Sequence, residues 1–352
     1  MTQRRIVILT DGRTNPVNAK TAACMIRYKP EEVVALLDTT QGGRTAGELL
    51  NVGGSLPIVA KLADAPPANT LLIGIAPSGG KLPPAWRSIL LEAIDRGMNL
   101  VSGLHDFLSN DAEIAVAAAK RGVEIHDVRK NNERDVANRL NLREDCLRIL
   151  TIGQDCSVGK MLASVEITLA LKARGYDAKF VATGQTGIMI EGDGCPVDCV
   201  VSDFVNGAVE KLVLANQHHD ILLVEGQGAI SHPRYSSVTL GLLHGCVPQG
   251  MILVYEAGRP HVLGMDYIQL PSLKKIVEAN ELMASFAMPS RVIGVAMNSR
   301  LLDAAEAEAE RERVRRELGV PVCDVIRHGP GDLVDAILAL QQQLFPHLAK
   351  AG

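Results

Sequence analysis

The stretch Gly153-Gln154-Asp155-Cys156-Ser157-Val158-Gly159-Lys160-Met161 is the part of this chain best suited to chemistry. It lies between an apolar β-type run, Leu147–Ile152, and a helical pattern that starts at Lys160. A loop in that setting, a P-loop, curls its backbone N–H groups round a phosphate, and the helix N-terminus adds partial positive charge. Gly159 lets the backbone approach the oxygens without a Cβ in the way. Lys160 adds a full charge. Two features depart from the usual pattern G-x-x-x-x-G-K-[ST]. Gly153 stands one residue too early, and Met161 replaces the hydroxyl residue that binds Mg²⁺. A thioether is a poor ligand for an ion that takes hard oxygens. The loop is therefore expected to hold a pyrophosphate and to be poorly equipped to cleave one, and no metal is expected.

Open parallel sheets place ligands beyond the carboxyl ends of their strands, so the other candidates are sought there. After Ala178–Ala182 comes Thr183-Gly184-Gln185-Thr186-Gly187, then Glu191-Gly192-Asp193-Gly194. This reads as a polar ligand-binding loop beside the P-loop strand, with Thr183, Gln185 and Thr186 as substrate-binding candidates. The strand Ile221–Val224 ends in Glu225-Gly226-Gln227-Gly228, followed by Ser231-His232-Pro233. Glu225 holds the Walker B position. Without a hydroxyl at Met161, its chemistry is that of a base or an amine-binding group, and His232 is the second base candidate. Arg259 and His261 follow the strand Met251–Tyr255, where they can meet an anionic substrate. Asn298 ends the strand Val292–Met297. In the first half, Asp11-Gly12 and His105-Asp106 also lie past strands and read as capped loops before they read as subsites. Cys195 and Cys199 form an isolated C-x3-C, better read as small buried thiols near a loop than as half of a metal site.

These residues need a frame, and the whole chain supplies one grammar. Short β-rich runs alternate with helical patterns, which indicates α/β architecture with parallel sheets covered by helices. First-half strands are expected at Arg5–Leu9, Glu32–Leu37, Thr70–Ala76, Leu100–Gly103 and Val123–His126. Second-half strands are expected at Leu147–Ile152, Ala178–Ala182, Ile221–Glu225, Met251–Tyr255, Val292–Met297 and Val322–Ile326. The charged passage Asn131–Asp145 carries no strand pattern and marks a boundary, giving domains 1–145 and 146–352.

A chain of 352 residues with 47% hydrophobic residues can bury a core in each half. Net charge is −4 and no long basic run occurs, which argues against a nucleic-acid or anionic-membrane surface. No apolar run reaches membrane-spanning length, and Ile6–Leu9 is too short for a signal core. Seven scattered cysteines, an odd number, fit a reducing cytoplasm better than a disulfide framework.

The P-loop resembles the G-T-D-x-x-V-G-K-T loop of dethiobiotin synthetase, with Asp155, Val158, Gly159 and Lys160 on matching positions. That resemblance implies a P-loop NTPase-like sheet, an adenine-reading role for Asn298 and a site built at a homodimer interface, hence a homo-oligomer. Over nearly its full length the chain is similar to a bacterial and archaeal P-loop family long labelled only as a domain of unknown function. The likeness rests on Gly103-Leu104-His105-Asp106-Phe107-Leu108, the G-x-D-C-x-V-G-K-M loop, Ala182–Gly187 and the V-E-G-Q-G strand end. It implies a Rossmann-like first half. At least one member is a D-glutamate N-acetyltransferase, so the resemblance implies acetyl transfer from acetyl-CoA to the amino group of a D-amino acid. Coenzyme A would then sit on Gly153, Asp155, Cys156, Ser157, Val158, Gly159, Lys160, Met161 and Asn298, with backbone amides of Gly184–Gly187 and Gly226–Gly228 as oxyanion donors. An Mg-ATP-dependent ligase or kinase and a non-catalytic nucleotide-binding subunit are the alternatives.

Overall fold

The computed structural model describes residues 3–75 and 78–348. Two compact units divide the chain. One comprises Met1–Asn131 together with Ile188–Cys199, the other Asn132–Gly187 and Val200–Gly352. Residues 132–145, grouped with the first half on sequence, fall in the second unit. Their backbone is held there by Glu210, whose carboxylate accepts from Asn138 N at 2.9 Å and Arg139 N at 2.7 Å.

The first unit is built on β1 (Ile6–Leu9), β2 (Val33–Leu37), β3 (Ile58–Val59), β4 (Thr70–Ile73), β5 (Asn99–Ser102) and β6 (Ile125–Asp127). They pair in parallel in the order β3-β2-β1-β4-β5-β6. That is the doubly wound order whose ligands bind at the carboxyl edge of the sheet. Helices α1 (Lys20–Tyr28), α2 (Ala46–Leu50), α3 (Arg87–Asp95) and α4 (Ala112–Arg121) cover it. Val7, Leu9, Leu37, Leu71, Trp86 and Leu90 belong to its core. Expected strands match within two residues, except that Thr70–Ala76 stops at Ile73; Ala76 lies outside the described residues.

The second unit repeats the plan. Its main strands are β7 (Leu147–Gly153), β8 (Ala178–Val181), β9 (Ile221–Val224) and β10 (Gly250–Glu256), followed by the hairpin β11 (His261–Val262) and β12 (Met265–Gln269), then β13 (Arg291–Asn298) and β14 (Val322–Cys323). The large sheet is parallel with order β14-β13-β10-β7-β9-β8. β9 thus separates β8 from the P-loop strand, whereas the sequence suggests that the loop after β8 lies directly beside that strand. β14 is shorter than the expected Val322–Ile326. The Asp324 carboxylate turns the chain there by accepting from Ile326 N and Arg327 N. The helices are α5 (Lys160–Ala173), α6 (Gln185–Glu191), α7 (Val205–Asn216), α8 (Ser236–Cys246), α9 (Leu273–Ser285), α10 (Ala304–Leu318) and α11 (Gly331–Leu344). Strand residues Ile149, Leu223, Ile252 and Val254 pack on Ile167, Leu171 and Ile337. Among the described residues, no helix is long and apolar enough to cross a membrane.

Candidate functional site

β7 lies in the sheet between β10 and β9, and the P-loop leaves its carboxyl end. The loop turns through left-handed backbone at Ser157 (φ 55°) and Gly159 (φ 113°), and α5 starts at Lys160. A side chain at Gly159 would be strained in that conformation. Lys160 is 6% exposed, and its Nζ donates to the Asp155 carbonyl at 2.9 Å. Burial pulls its pKa down to about 8, against the opposing pull of nearby anionic groups including Asp155 and Glu225. A lysine desolvated in this way gains most from an anionic ligand.

The Asp155 side chain is engaged within the protein. It is fully buried, and Oδ2 accepts from Arg259 Nη1 at 2.9 Å and from Leu263 N at 2.8 Å, while Oδ1 accepts from Cys156 N at 2.7 Å. Arg259, expected to meet a substrate carboxylate, is a brace for the P-loop. Its Nη1 also reaches the Cys156 carbonyl at 3.0 Å, and its Nε donates to Glu256 Oε2 at 2.6 Å. Glu256, at the carboxyl end of β10, is 3% exposed and is also bound by Arg300. Two buried carboxylates require cations, and they take the Arg259 donors that sequence reading had left for substrate. Sequence reading missed Glu256 and Arg300. The available signal was an acid at the end of a core strand with an arginine three residues on. His261 stands half-buried in β11, opposite Gln269.

The segment after β8 is a helix start instead of an open loop, because Gln185–Glu191 forms α6. Thr183 N and Gly184 N both donate to Glu225 Oε2, at 2.9 and 3.0 Å, and Thr183 Oγ1 donates to the Glu225 carbonyl at 2.7 Å. Thr183 is fully buried, so it braces the site and does not touch solvent. Gln185 is also buried, and its amide donates to Thr186 Oγ1 at 2.9 Å; Thr186 is half-buried. Gly226 N donates to Thr151 Oγ1 at 2.9 Å. The amides of Gly184 and Gly226, expected as oxyanion donors, therefore already have acceptors. Glu225 is 6% exposed and ties the ends of β8 and β9 together.

His232 is 1% exposed and stacks on Tyr235 with ring centroids 4.7 Å apart. Its Nδ1 accepts from Arg234 N at 3.1 Å, so in the neutral ring the proton sits on Nε2. Burial pushes its pKa down, which favours that neutral form. Among the described residues Nε2 has no hydrogen-bond partner, and it lies 3.6 Å from Asp155 Oδ1. His232 is thus arranged as a donor, where sequence reading made it a base. Its ring nitrogen, the Asp155 carboxylate and Cys156 Sγ come within 4.8 Å of one another. A nitrogen that carries a proton does not ligate a metal. Asn298, at the end of β13, is half-buried, and its Nδ2 donates to the Val158 carbonyl at 3.1 Å. Its amide thus fastens the P-loop, in place of the free adenine-reading edge expected. Cys156 and Met161 are half-buried and Ser157 is exposed. Beside the His232 loop lies a cavity of about 360 Å³ with Ile230, Ser231, Leu240, Ile276 and Met283 in its wall.

A doubly wound unit followed by a unit whose central strand ends in a P-loop defines the class: a two-unit α/β protein with a P-loop in its second half. Residues 131–334 match the family model "Domain of unknown function (DUF1611_C) P-loop domain", and residues 39–131 match its "Rossmann-like domain" partner, DUF1611_N. The chain belongs to the DUF1611 family. It is 36% identical over 324 residues to a protein of Tritonibacter scottomollicae named D-glutamate N-acetyltransferase, covering 92% of this chain and 95% of that one. A protein of the same name from Pseudoalteromonas sp is 36% identical over 329 residues, covering 93% and 95%. The crystal structure of a DUF1611 family protein from Anabaena variabilis superposes with a TM-score of 0.91 at 36% identity, covering 96% of this chain and 99% of that one.

Proposed function

We propose that this protein is an N-acetyltransferase that moves the acetyl group of acetyl-CoA to the amino group of a D-amino acid such as D-glutamate. The observation that carries the reading is the pairing of Lys160 with Met161. Lys160 is a buried cation at the mouth of a phosphate loop, and Met161 stands where an ATP-cleaving loop needs a hydroxyl. Such a loop suits a pyrophosphate that is held and not broken, as in the nucleotide end of coenzyme A. The names of the two relatives support acetyl transfer as the reaction and D-glutamate as the acceptor.

In this reading Lys160 and the loop amides hold the pyrophosphate, and the Arg259–Asp155 pair fixes the loop's shape. His232 Nε2–H is a buried donor for an oxygen of the ligand. Glu225 orients the turn that starts α6. Acyl transfer asks for a neutral amine, a proton acceptor and donors for the thioester oxygen, and it asks for no phosphoryl chemistry. A homo-oligomer in the cytoplasm is part of the same proposal. The test is incubation with acetyl-CoA and a panel of D- and L-amino acids, read by mass spectrometry. N-acetylated D-glutamate is the expected product. A panel with no acetylated amine removes the reading.

A further inference from the structure

The first unit holds a second reactive cluster. Cys199 Sγ lies 3.2 Å from His105 Nδ1, and the other ring nitrogen, Nε2, lies 3.9 Å from Asp198 Oδ2. A thiol within reach of one imidazole nitrogen, with a carboxylate facing the other across a gap longer than a hydrogen bond, follows the order of a nucleophile, its base and the group that orients the base. The chain goes out of its way to assemble it. His105 follows β5 and Arg129 follows β6, so both stand at the carboxyl edge of the first sheet. Asp198 and Cys199 come from the short segment Ile188–Cys199, which belongs to this unit although the sequence around it belongs to the other. His105 N and Asp106 N both donate to the Gly80 carbonyl, at 2.9 and 3.1 Å, which fixes the backbone behind the imidazole. Cys199 and its partners are open to a ligand, since His105 is 44% exposed and Cys199 is half-buried.

The same three residues have the makings of a metal site, and Arg129 argues against it. Its guanidinium binds Asp198 Oδ2, the carboxylate oxygen that faces His105, while its Nε donates to the Gly103 carbonyl at 2.7 Å. A full cation already holds that oxygen. Beside a thiol, an arginine favours developing thiolate charge. Protonation states agree with the geometry. Burial, then Arg129, push the His105 pKa down, so the imidazole is a neutral acceptor. Burial pushes the Cys199 pKa up, so the thiol needs a base to act.

Taking acetyl-CoA as the donor, as proposed above, we infer that Cys199 is an acyl-relay nucleophile, with His105 as its base and Asp198 and Arg129 as positioning residues. In the first half-reaction Cys199 Sγ attacks the thioester carbonyl carbon while His105 Nδ1 takes the thiol proton. The bond from that carbon to the coenzyme A sulfur breaks, and the leaving thiolate takes the proton from His105. In the second, the neutral amine attacks the acetyl-Cys199 carbonyl and gives its proton to His105. The C–S bond breaks, Cys199 regains the proton and the N-acetyl product leaves. No oxidant, reductant or metal is required.

The test follows exchange of isotopically labelled coenzyme A into acetyl-CoA by the full-length protein with no amine present, because exchange requires an acetyl-enzyme. The wild type is expected to exchange the label and to show acetyl on the peptide containing Cys199 after acid quench. Cys199→Ala and His105→Asn should lose at least about a hundredfold in exchange rate, while Cys199→Ala still binds coenzyme A in a calorimeter. Cys195→Ala, at the neighbouring buried thiol, should exchange normally. Exchange that survives in Cys199→Ala overturns the relay, as does a wild type that acetylates an amine without exchange. Exchange without acetylation of any D-amino acid leaves the relay standing and removes the acceptor reading. Absence of both removes both.

Discussion

Arg259 Nη1 and Asp155 Oδ2 meet at 2.9 Å inside the protein, joining the loop after β10 to the P-loop. The pair spans 104 residues of sequence and makes the shape of the phosphate loop depend on a strand two pairings from β9. Removing one partner leaves Asp155 and Glu256 as buried charges with too few cations. Arg259→Ala should destabilise the second unit by about 3–5 kcal/mol, the scale of a broken buried pair. Arg259→Lys should not restore the loss, because one ammonium cannot reach Asp155, Glu256 and the Cys156 carbonyl together. Denaturant unfolding checks both variants; a midpoint unchanged in Arg259→Ala would mean the pair does not hold the loop.

Lys160 gives the pH dependence. Its pKa in the ligand-free protein is pulled down to about 8 by burial, and a bound pyrophosphate must raise it. Binding is therefore accompanied by proton uptake above that pH. Coenzyme A affinity should be flat below about pH 8 and fall by up to about tenfold per unit above it, until the pKa of the bound state is reached. Calorimetry across that range reads the slope, and an affinity that rises from pH 8 to 9 contradicts the assignment. Lys160→Ala should flatten the curve and weaken binding by roughly 1.5–3 kcal/mol, the scale of a charged hydrogen bond.

Glu225 offers a separate check on the frame. Glu225→Ala leaves the buried N–H of Thr183 without its acceptor, and that of Gly184 likewise. Each N–H left without an acceptor should cost about 1–3 kcal/mol, whereas Glu225→Gln keeps an acceptor oxygen and should cost less. Thermal unfolding separates the two variants; equal losses would show that the carboxylate's charge matters more than its acceptor role.

The parallel sheets and the P-loop were legible because both rest on local pattern. Apolar runs such as Leu147–Ile152 can be buried only one way, and Gly159-Lys160 after a strand has a single common use. What escaped was local structure with misleading composition. α8 escaped because Gly241 and Gly245 look like loop residues. In the fold they let that helix approach α7, where a Cβ at either position would collide with Val205 or Val209. The sequence of α6 resembles a loop because Gly184 and Gly187 flank its first residues. β3 and β11 are too short to carry a period. The partners of Arg259, and the meeting of His105 with Cys199 across 94 residues, depend on tertiary contact and leave no local trace.

The choice of donor separates acetyl transfer from phosphoryl transfer most directly. A phosphoryl-transfer enzyme uses its P-loop hydroxyl to fix the Mg²⁺ that neutralises developing charge, and Met161 presents a thioether there. Acyl transfer develops its charge on a carbonyl oxygen and needs donors, not the ion. Turnover of D-glutamate should be measured with acetyl-CoA and with Mg-ATP, each with and without excess EDTA. The expected result is N-acetylated product from acetyl-CoA at a rate EDTA does not change, and no ATP consumption coupled to the amino acid. Chelator-sensitive ATP consumption tied to product formation, with no product from acetyl-CoA, would contradict it.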